Sequence, residues 1–213
     1  MRAGHPVPFI FGVSEEGFAA AVDDLERRIP ELEDGRIVME IFPVFALLDD
    51  PAESFDAFTD RLFAFAEEND IERIVIDMRK NCGGYGRFGL RFVERIAQHE
   101  LGKEGNLFVI LGRGTKSATP FFAQRLSVAA SPLFVGEQSG GRPTPVGNTF
   151  PIDLPHSAVG LRCGGRLFQL TSELDLGKTI LPDIPALATM ESFRANEDPV
   201  LAAAIEHGRS AGR

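Results

Sequence analysis

The sequence predicts an α/β fold, and three observations support that prediction. Short apolar runs rich in β-branched residues alternate with segments whose apolar residues recur at helical spacing. Such runs are typical of parallel strands, because crossover helices bury both faces of their sheet. Glycine-bearing segments follow three of the runs, and open α/β sheets bind ligands at the carboxyl ends of their strands. The 213 residues, 44% of them hydrophobic, are enough for one substantial core.

Apolar spacing and helix-start signals predict four helices along the chain. The first is expected over residues 14–29, the second over 53–69 and the third over 88–99. A closing helix should begin with Asp198 as its N-cap and Pro199 in its first turn. Both residue types favour a helix start, so this boundary is the best defined of the four.

Strands are expected between and after these helices. The buried ones are predicted at residues 36–42, 73–78, 107–111 and 133–135. Farther along, Gly164 and Gly165 form a turn signal, which predicts an antiparallel hairpin between residues 159–163 and 166–171. We therefore divide the chain into an N-terminal helical segment, residues 1–35, an α/β core, residues 36–187, and a C-terminal helical segment, residues 188–213.

Charge and hydropathy argue against two classes of partner. With 22 Lys and Arg against 31 Asp and Glu, the formal charge is -9, so counterion release cannot drive binding to nucleic acid. We find no apolar run near the ~18–20 residues that a membrane-spanning helix needs. We recognise no signal peptide, so the cytoplasm is the default location and export is left open.

The cysteines indicate no metal site. Cys82 and Cys163 are too few for a disulfide framework and lack the spacing of metal ligands. A phosphate-binding glycine loop of the G-x-x-x-x-G-K-[ST] type is also missing from the sequence. We therefore expect neither a metal nor another cofactor.

Two glycine-bearing segments offer backbone N–H groups to a ligand. Gly83 and Gly84 follow the strand that ends at Met78, and such a turn can aim N–H groups outward as in an oxyanion hole. An ordinary strand-to-helix turn explains the same pair. Gly140 and Gly141, after the last buried strand, fit either a close approach to a bound peptide or a mobile loop.

A serine lies between these two segments. Ser117 follows the strand 107–111 and should lie in the first turn of a helix, where free N–H groups and the helix dipole stabilise negative charge. That position suits a nucleophile, and a plain N-cap serine fits it equally. The segment is not a G-x-S-x-G elbow, because Thr115 and Thr119 occupy the glycine positions.

Five motifs follow one another in a specific order. They are Asp-x-Arg-x-Asn-x-Gly-Gly at 77–84, Ser-Ala at 117–118, Val-Gly-Glu at 135–137, Leu-Pro-x-Ser at 154–157 and Pro-Asp-Ile at 182–184. This order resembles the tail-specific, or C-terminal processing, serine peptidase family. The match is closest to the branch that includes the tricorn core and the interphotoreceptor retinoid-binding protein repeats, and it spans residues 55–207.

The resemblance implies a Clp-protease/crotonase-like core of stacked β-β-α units. It also implies that the partner is a peptide or protein C-terminal segment, with a homo-oligomer as an option. Ser117 matches the nucleophile, and the backbone of Gly83, Gly84 and Ala118 matches the oxyanion hole. The residues that match the loop lining the cleft are Glu137, Gly140, Gly141 and Arg142.

The general base of the family has no counterpart in the motifs. One branch uses a lysine in the glycine loop, where this chain has Arg142, and a guanidinium does not release its proton at neutral pH. The other branch uses a histidine from a Gly-Asp-Gly-His-Thr-like turn, which is missing near residues 48–50. Glu173 or Asp175 could be the orienting acid of the tricorn branch. The histidines outside any matching context are His5, His99, His156 and His207.

Three functions are compatible with these residues. The first is a serine hydrolase that cleaves peptides through Ser117 and a backbone oxyanion hole. The second is a catalytically degenerate relative, a pseudoenzyme that binds a peptide tail or a small apolar ligand without cleavage. The third is a crotonase-type acyl-thioester enzyme, which the Leu-Pro and Pro-Asp-Ile motifs disfavour.

Overall fold

The structure, a computed structural model, describes residues 36–40, 55–84, 89–157, 159–170 and 178–207, with backbone alone for the first of these ranges. The helix expected at residues 14–29 lies outside these ranges. So do Glu173 and Asp175. Within the described ranges no helix has the length and apolar character needed to cross a membrane.

Strands and helices alternate through most of the described chain. The strands are β1 (Arg36–Glu40), β2 (Arg73–Asp77), β3 (Leu107–Leu111), β4 (Leu133–Gly136), β5 (Val146–Gly147), β6 (Phe150–Asp153), β7 (Gly160–Cys163), β8 (Arg166–Leu167) and β9 (Ile184–Pro185). The helices are α1 (Phe55–Glu68), α2 (Leu90–Ala97), α3 (Ala118–Ala129), α4 (Met190–Arg194) and α5 (Pro199–Glu206). A single 3-10 turn, Glu100–Gly102, follows α2.

The central sheet has five parallel strands in the order β1-β2-β3-β4-β9. This arrangement confirms the predicted α/β class. Each strand from β1 to β4 pairs with the next one in sequence, so crossovers of one hand place α1, α2 and α3 on the same face. In the described chain β2 and β3 are each followed by a single helix. The stacked β-β-α units implied by the family resemblance stay a prediction.

The core lies on both faces of this sheet. All five residues of β3 are buried, as expected for an inner parallel strand. Leu107, Val109 and Leu111 join the cluster formed by α1, α2 and α3, whereas Phe108 and Ile110 join a smaller cluster under α5. Burial of each such side chain stabilises the fold by ~1.5–3 kcal/mol, so the sheet rigidly positions the loops at its carboxyl edge.

The hairpin predicted from Gly164 and Gly165 is wrong. These glycines connect β7 to β8, but β7 pairs with β6 and β8 pairs with β5, all antiparallel. The hairpin instead joins β6 to β7, and the Leu154 N–H donates to the Val159 carbonyl at 3.0 Å. The Gly165 N–H bonds the Gly147 carbonyl at 3.0 Å, so the pair continues a strand ladder instead of turning it.

Arg79, two residues past β2, ties α5 to the sheet. Its guanidinium donates to Asp77, with Nε 2.9 Å from Oδ2, and to both oxygens of Asp198 at 2.9 and 2.7 Å. Asp198 also caps α5, because its Oδ1 accepts from the Val200 and Leu201 amides. Burial alone would raise the pKa of Asp198. Arg79 and these amides together lower the pKa by more than burial raises it, so the pKa lies below its ordinary value.

The Asp198 carboxylate predicts a pH-dependent loss of stability. At pH 7, Asp198→Asn should lower the free energy of unfolding by ~0.5–1 kcal/mol, since the cap survives and the ion pair is part-exposed. Asp198→Ala, which also removes the cap, should cost ~1–2 kcal/mol. A carboxylate with a lowered folded pKa stabilises above its unfolded pKa of ~3.9, and that contribution disappears as pH falls through the folded value.

Urea unfolding at pH 7 and pH 3 measures these differences. The gap between the wild type and Asp198→Asn should shrink at pH 3, while Glu197→Gln, which neutralises the neighbouring exposed carboxylate, should change stability little at either pH. An equal gap at both pH values would contradict the assignment of the effect to the charge of Asp198.

Candidate active site

Three loops meet at the carboxyl edge of the sheet. We call them the β2 loop (residues 78–84), the β3 loop (residues 112–117) and the β4 loop (residues 137–142). The buried Thr115 side chain joins the first two, because its Oγ1 donates to the Met78 carbonyl at 2.8 Å. The Thr115 carbonyl accepts from the Gly141 N–H at 3.0 Å, which attaches the β4 loop. The three loops therefore form one hydrogen-bonded unit.

Ser117, at the end of the β3 loop, has a strained backbone. It is the N-cap residue of α3, with φ 56° and ψ -118°. A non-glycine residue in such a region costs ~1–3 kcal/mol and persists only where its surroundings enforce it. Its side chain makes no capping bond to α3, so the plain N-cap explanation of this serine is wrong. Ser117 is exposed, so its hydroxyl is accessible to a ligand.

Gly83 lies directly against Ser117. A Cβ atom on Gly83 would overlap the Ser117 Cβ and would lie 2.9 Å from its Oγ. The φ of Gly83 is also +109°, which side chains rarely tolerate. Any other residue at this position would therefore displace the serine or the β2 loop.

The backbone donors near Ser117 differ from the predicted set. The Gly83 N–H donates to Asn81 Oδ1 at 3.0 Å, so it is already engaged within the β2 loop. Among the described residues, the N–H groups of Gly84 and Ala118 have no hydrogen-bond partner. Gly84 and Ala118 line the same cleft as Ser117. Two of the three predicted donors thus remain available to a ligand.

Asn81 is a positioning residue that the sequence analysis did not single out. Its side-chain oxygen accepts from the Gly83 N–H and from Thr119 Oγ1, the latter at 2.6 Å. Its carbonyl accepts from the Lys116 N–H at 3.2 Å. Asn81 and Thr119 are both buried, so these bonds are shielded from water. An Asn two residues before a Gly is a known turn signal, but its link to α3 is not visible in the sequence.

The cleft beside Ser117 has a volume of about 620 Å³. Its apolar wall includes Phe121 from α3 and Leu167 and Phe168 from the segment around β8. Arg125 and Arg166 line it as well. The sequence analysis missed all five residues, although Arg125 follows Phe121 by four positions, the spacing that brings two side chains together on a helix.

The β4 loop bonds to the backbone of the β3 loop, and none of its residues belongs to the lining of this cleft. Gly140 and Gly141 donate their N–H groups to the carbonyls of Gly112 and Thr115. Glu137 forms an ion pair with Arg113, with Oε1 and Nε 2.8 Å apart. Four residues of this loop were expected to line the cleft, and none of them is among its lining residues: Glu137, Gly140, Gly141 and the exposed Arg142. The oxyanion and nucleophile roles assigned from the family stay predictions.

Among the described residues, no side chain hydrogen-bonds to the Ser117 hydroxyl. His99 is used structurally, since its Nδ1 accepts from the Leu101 N–H at 3.1 Å. The His207 ring packs edge-on against Phe108, and His156 lies in an exposed turn. The same part of the chain contains no group of three His, Cys, Asp or Glu that could hold a metal ion.

Comparisons with known proteins show a likeness of fold. No protein-family model matches the chain, and no curated protein matches it in sequence. A solved structure described as a "putative peptidase" from Parabacteroides merdae superposes with a TM-score of 0.53 at 18% identity, over 75% of this chain and 58% of that one. At this identity the likeness shows a peptidase-like α/β fold alone.

A second solved structure is the photosystem II D1 C-terminal processing protease. It is 20% identical over 64% of this chain and 40% of that one, with a TM-score of 0.43, which is too low to support an argument. The chain therefore spans 58% and 40% of the lengths of these two neighbours.

The close contact at Gly83 predicts a large effect of a single methyl group. Gly83→Ala should lower the free energy of unfolding by ~2–4 kcal/mol, through strain at positive φ together with the clash with Ser117. Gly105→Ala is the matched control, because Gly105 has a φ of +83° but nothing within 4 Å of its Cβ position. It should cost only the strain, ~1–2 kcal/mol.

Urea unfolding of the two variants under the same conditions measures the difference. Equal destabilisation would show that the contact with Ser117 does not constrain the β2 loop.

Proposed function

We propose that this protein is a serine hydrolase that acts on peptides, with Ser117 as its nucleophile. The observation that supports this most strongly is the backbone of Ser117, at φ 56° and ψ -118° in the turn from β3 into α3. The nucleophile of α/β hydrolases occupies a strained strand-to-helix turn of the same kind. The strain at Ser117 has no capping use, and unexplained strain of this size is found most often at active sites.

The proposed reaction begins with attack of Ser117 Oγ on the carbonyl carbon of a peptide bond. The tetrahedral intermediate carries an oxyanion, which the N–H groups of Gly84 and Ala118 would stabilise. Ala118 is the first residue of α3, so the helix dipole adds to this stabilisation. The C–N bond then breaks, the amine leaves, and water hydrolyses the acyl-enzyme.

Proton transfer needs a base, and no side chain of the described residues hydrogen-bonds to the Ser117 hydroxyl. The Ser117 proton must pass to a base and from there to the departing amine. Glu173 and Asp175, the acids suggested by the resemblance, lie outside the described residues. They remain our proposal for the group that orients the base.

The apolar wall of the cleft supports a peptide as the substrate. Phe121, Leu167 and Phe168 can bury side chains of a bound segment. A C-terminal segment of a peptide or protein is the substrate that the family resemblance adds to this proposal.

A second candidate function rests on the same wall. A cleft of about 620 Å³ with two phenylalanines also fits a protein that holds a peptide tail or an apolar ligand without cleaving it. The two functions differ in whether the Ser117 hydroxyl reacts.

A fluorophosphonate probe tests the reactivity of Ser117 directly. The wild type should be labelled at Ser117, as shown by intact mass and peptide mapping, because the probe requires an activated hydroxyl next to donor N–H groups. Ser117→Ala should abolish the labelling. Ser127→Ala, which removes an exposed hydroxyl from the same helix, should leave it unchanged.

Equal absence of labelling in the wild type and in Ser117→Ala would contradict the hydrolase and favour the binding function.

A further inference from the structure

The charged residues that line the Ser117 cleft are both basic within the described part of the chain. Arg125 and Arg166 line it, and no Asp or Glu belongs to its lining among the described residues. The protein as a whole carries 31 acidic against 22 basic residues. These two arginines are thus basic residues at the cleft of an acidic protein, and a cleft with low-dielectric walls concentrates their field.

Arg125 is held in place without a charge partner. Its Cζ lies 4.7 Å from the centre of the Phe121 ring, and it forms no ion pair with any described residue. Its Nε is buried and lacks a hydrogen-bond partner in the same set of residues. Burial lowers the pKa of this guanidinium.

Arg166 also lines the cleft and is exposed. Its Cζ lies 5.2 Å from the centre of the Phe168 ring, and it has no ion pair within the described chain. The Phe168 ring in turn packs edge-on against Phe121 at 6.2 Å. The two rings thus contact each other, and each ring carries one of the two arginines. Stacking on aromatic rings orients a guanidinium and leaves its edge N–H groups for a ligand.

We propose that Arg125 and Arg166 form a subsite for a carboxylate group of the bound peptide. The carboxylate is either an acidic side chain or the C-terminus, and both present the planar pair of oxygens that a guanidinium binds bidentately. A phosphate group is the other anion that such a pair could take, but an acidic peptide needs no modification to supply its charge. This inference rests on the proposed function, since it assigns specificity to the same cleft.

The subsite predicts that peptides with a carboxylate bind more tightly than neutral peptides, which can be measured without catalysis. We would use the Ser117→Ala protein and a fluorescein-labelled octapeptide of alanine and leucine in four versions. The versions carry interior glutamates or glutamines, each with a free or an amidated C-terminus, and fluorescence anisotropy gives their Kd values. A peptide with the preferred carboxylate should bind at least ~10-fold more tightly than the neutral version, as expected for hydrogen bonds between charged groups. Comparing glutamate-amide with glutamine-acid identifies the source of the carboxylate.

Two substitutions should remove this preference. Arg125→Met and Arg166→Met keep much of the side-chain bulk on the rings, and each should reduce the carboxylate preference by ~10-fold. Arg125→Lys, which keeps the charge but loses the planar fork, should retain part of it. The matched control is Arg194→Met, an exposed arginine of α4 outside the cleft lining, which should leave all four Kd values unchanged. Thermal unfolding confirms that each variant is folded.

The outcomes separate this inference from the proposed function. Equal binding of all four peptides, binding of none, or a preference that survives in both methionine variants would overturn the subsite. A carboxylate preference that depends on both arginines, in a protein whose Ser117 is not labelled, would support the subsite and contradict only the hydrolase.

Discussion

The candidate site depends on keeping the Ser117 backbone in a conformation that the residue would not adopt alone. The strain at φ 56° has to be offset by bonds that the neighbouring residues make only in this geometry. Asn81 provides three of these bonds, to Gly83, Lys116 and Thr119. The absence of a side chain on Gly83 is equally necessary, because Ser117 fills the space where its Cβ would lie.

The parallel sheet makes this arrangement possible. Neighbouring parallel strands end at the same edge, so the β2, β3 and β4 loops start side by side and can share hydrogen bonds. Fully buried strands such as β3 hold the starting points of the loops rigidly. Arg79 adds a second function at this edge, since it fixes α5 over the other face through Asp198. Stability and site geometry therefore share the residues that follow β2.

Much of the fold could be predicted from local patterns. The all-buried strand at 107–111 and the Asp198 cap of α5 are set by composition and by neighbouring residues, and both were expected. The hairpin between residues 159–163 and 166–171 was predicted wrongly, because Gly164 and Gly165 give a strong local turn signal while β7 pairs with β6 and β8 with β5. Which strand a short segment pairs with depends on distant residues.

The candidate site also combines features that neighbouring residues set with features that distant residues set. Ser117 and the glycine turn were visible as motifs, whereas Asn81 and the arginines of the cleft were not. The bond from Thr119 to Asn81 and the alignment of Phe121 with Phe168 join segments far apart in sequence. The hydrogen bond from the Gly83 N–H to Asn81 also cannot be seen in the sequence. It leaves Gly84 and Ala118 as the donors of the proposed oxyanion hole. A crystal structure of the protein after reaction with a fluorophosphonate tests this account most directly. We expect phosphorus bonded to Ser117 Oγ and a phosphonyl oxygen within ~3.2 Å of the Gly84 and Ala118 nitrogens. A phosphonyl oxygen that faces solvent, or a Ser117 backbone with negative φ, would contradict it.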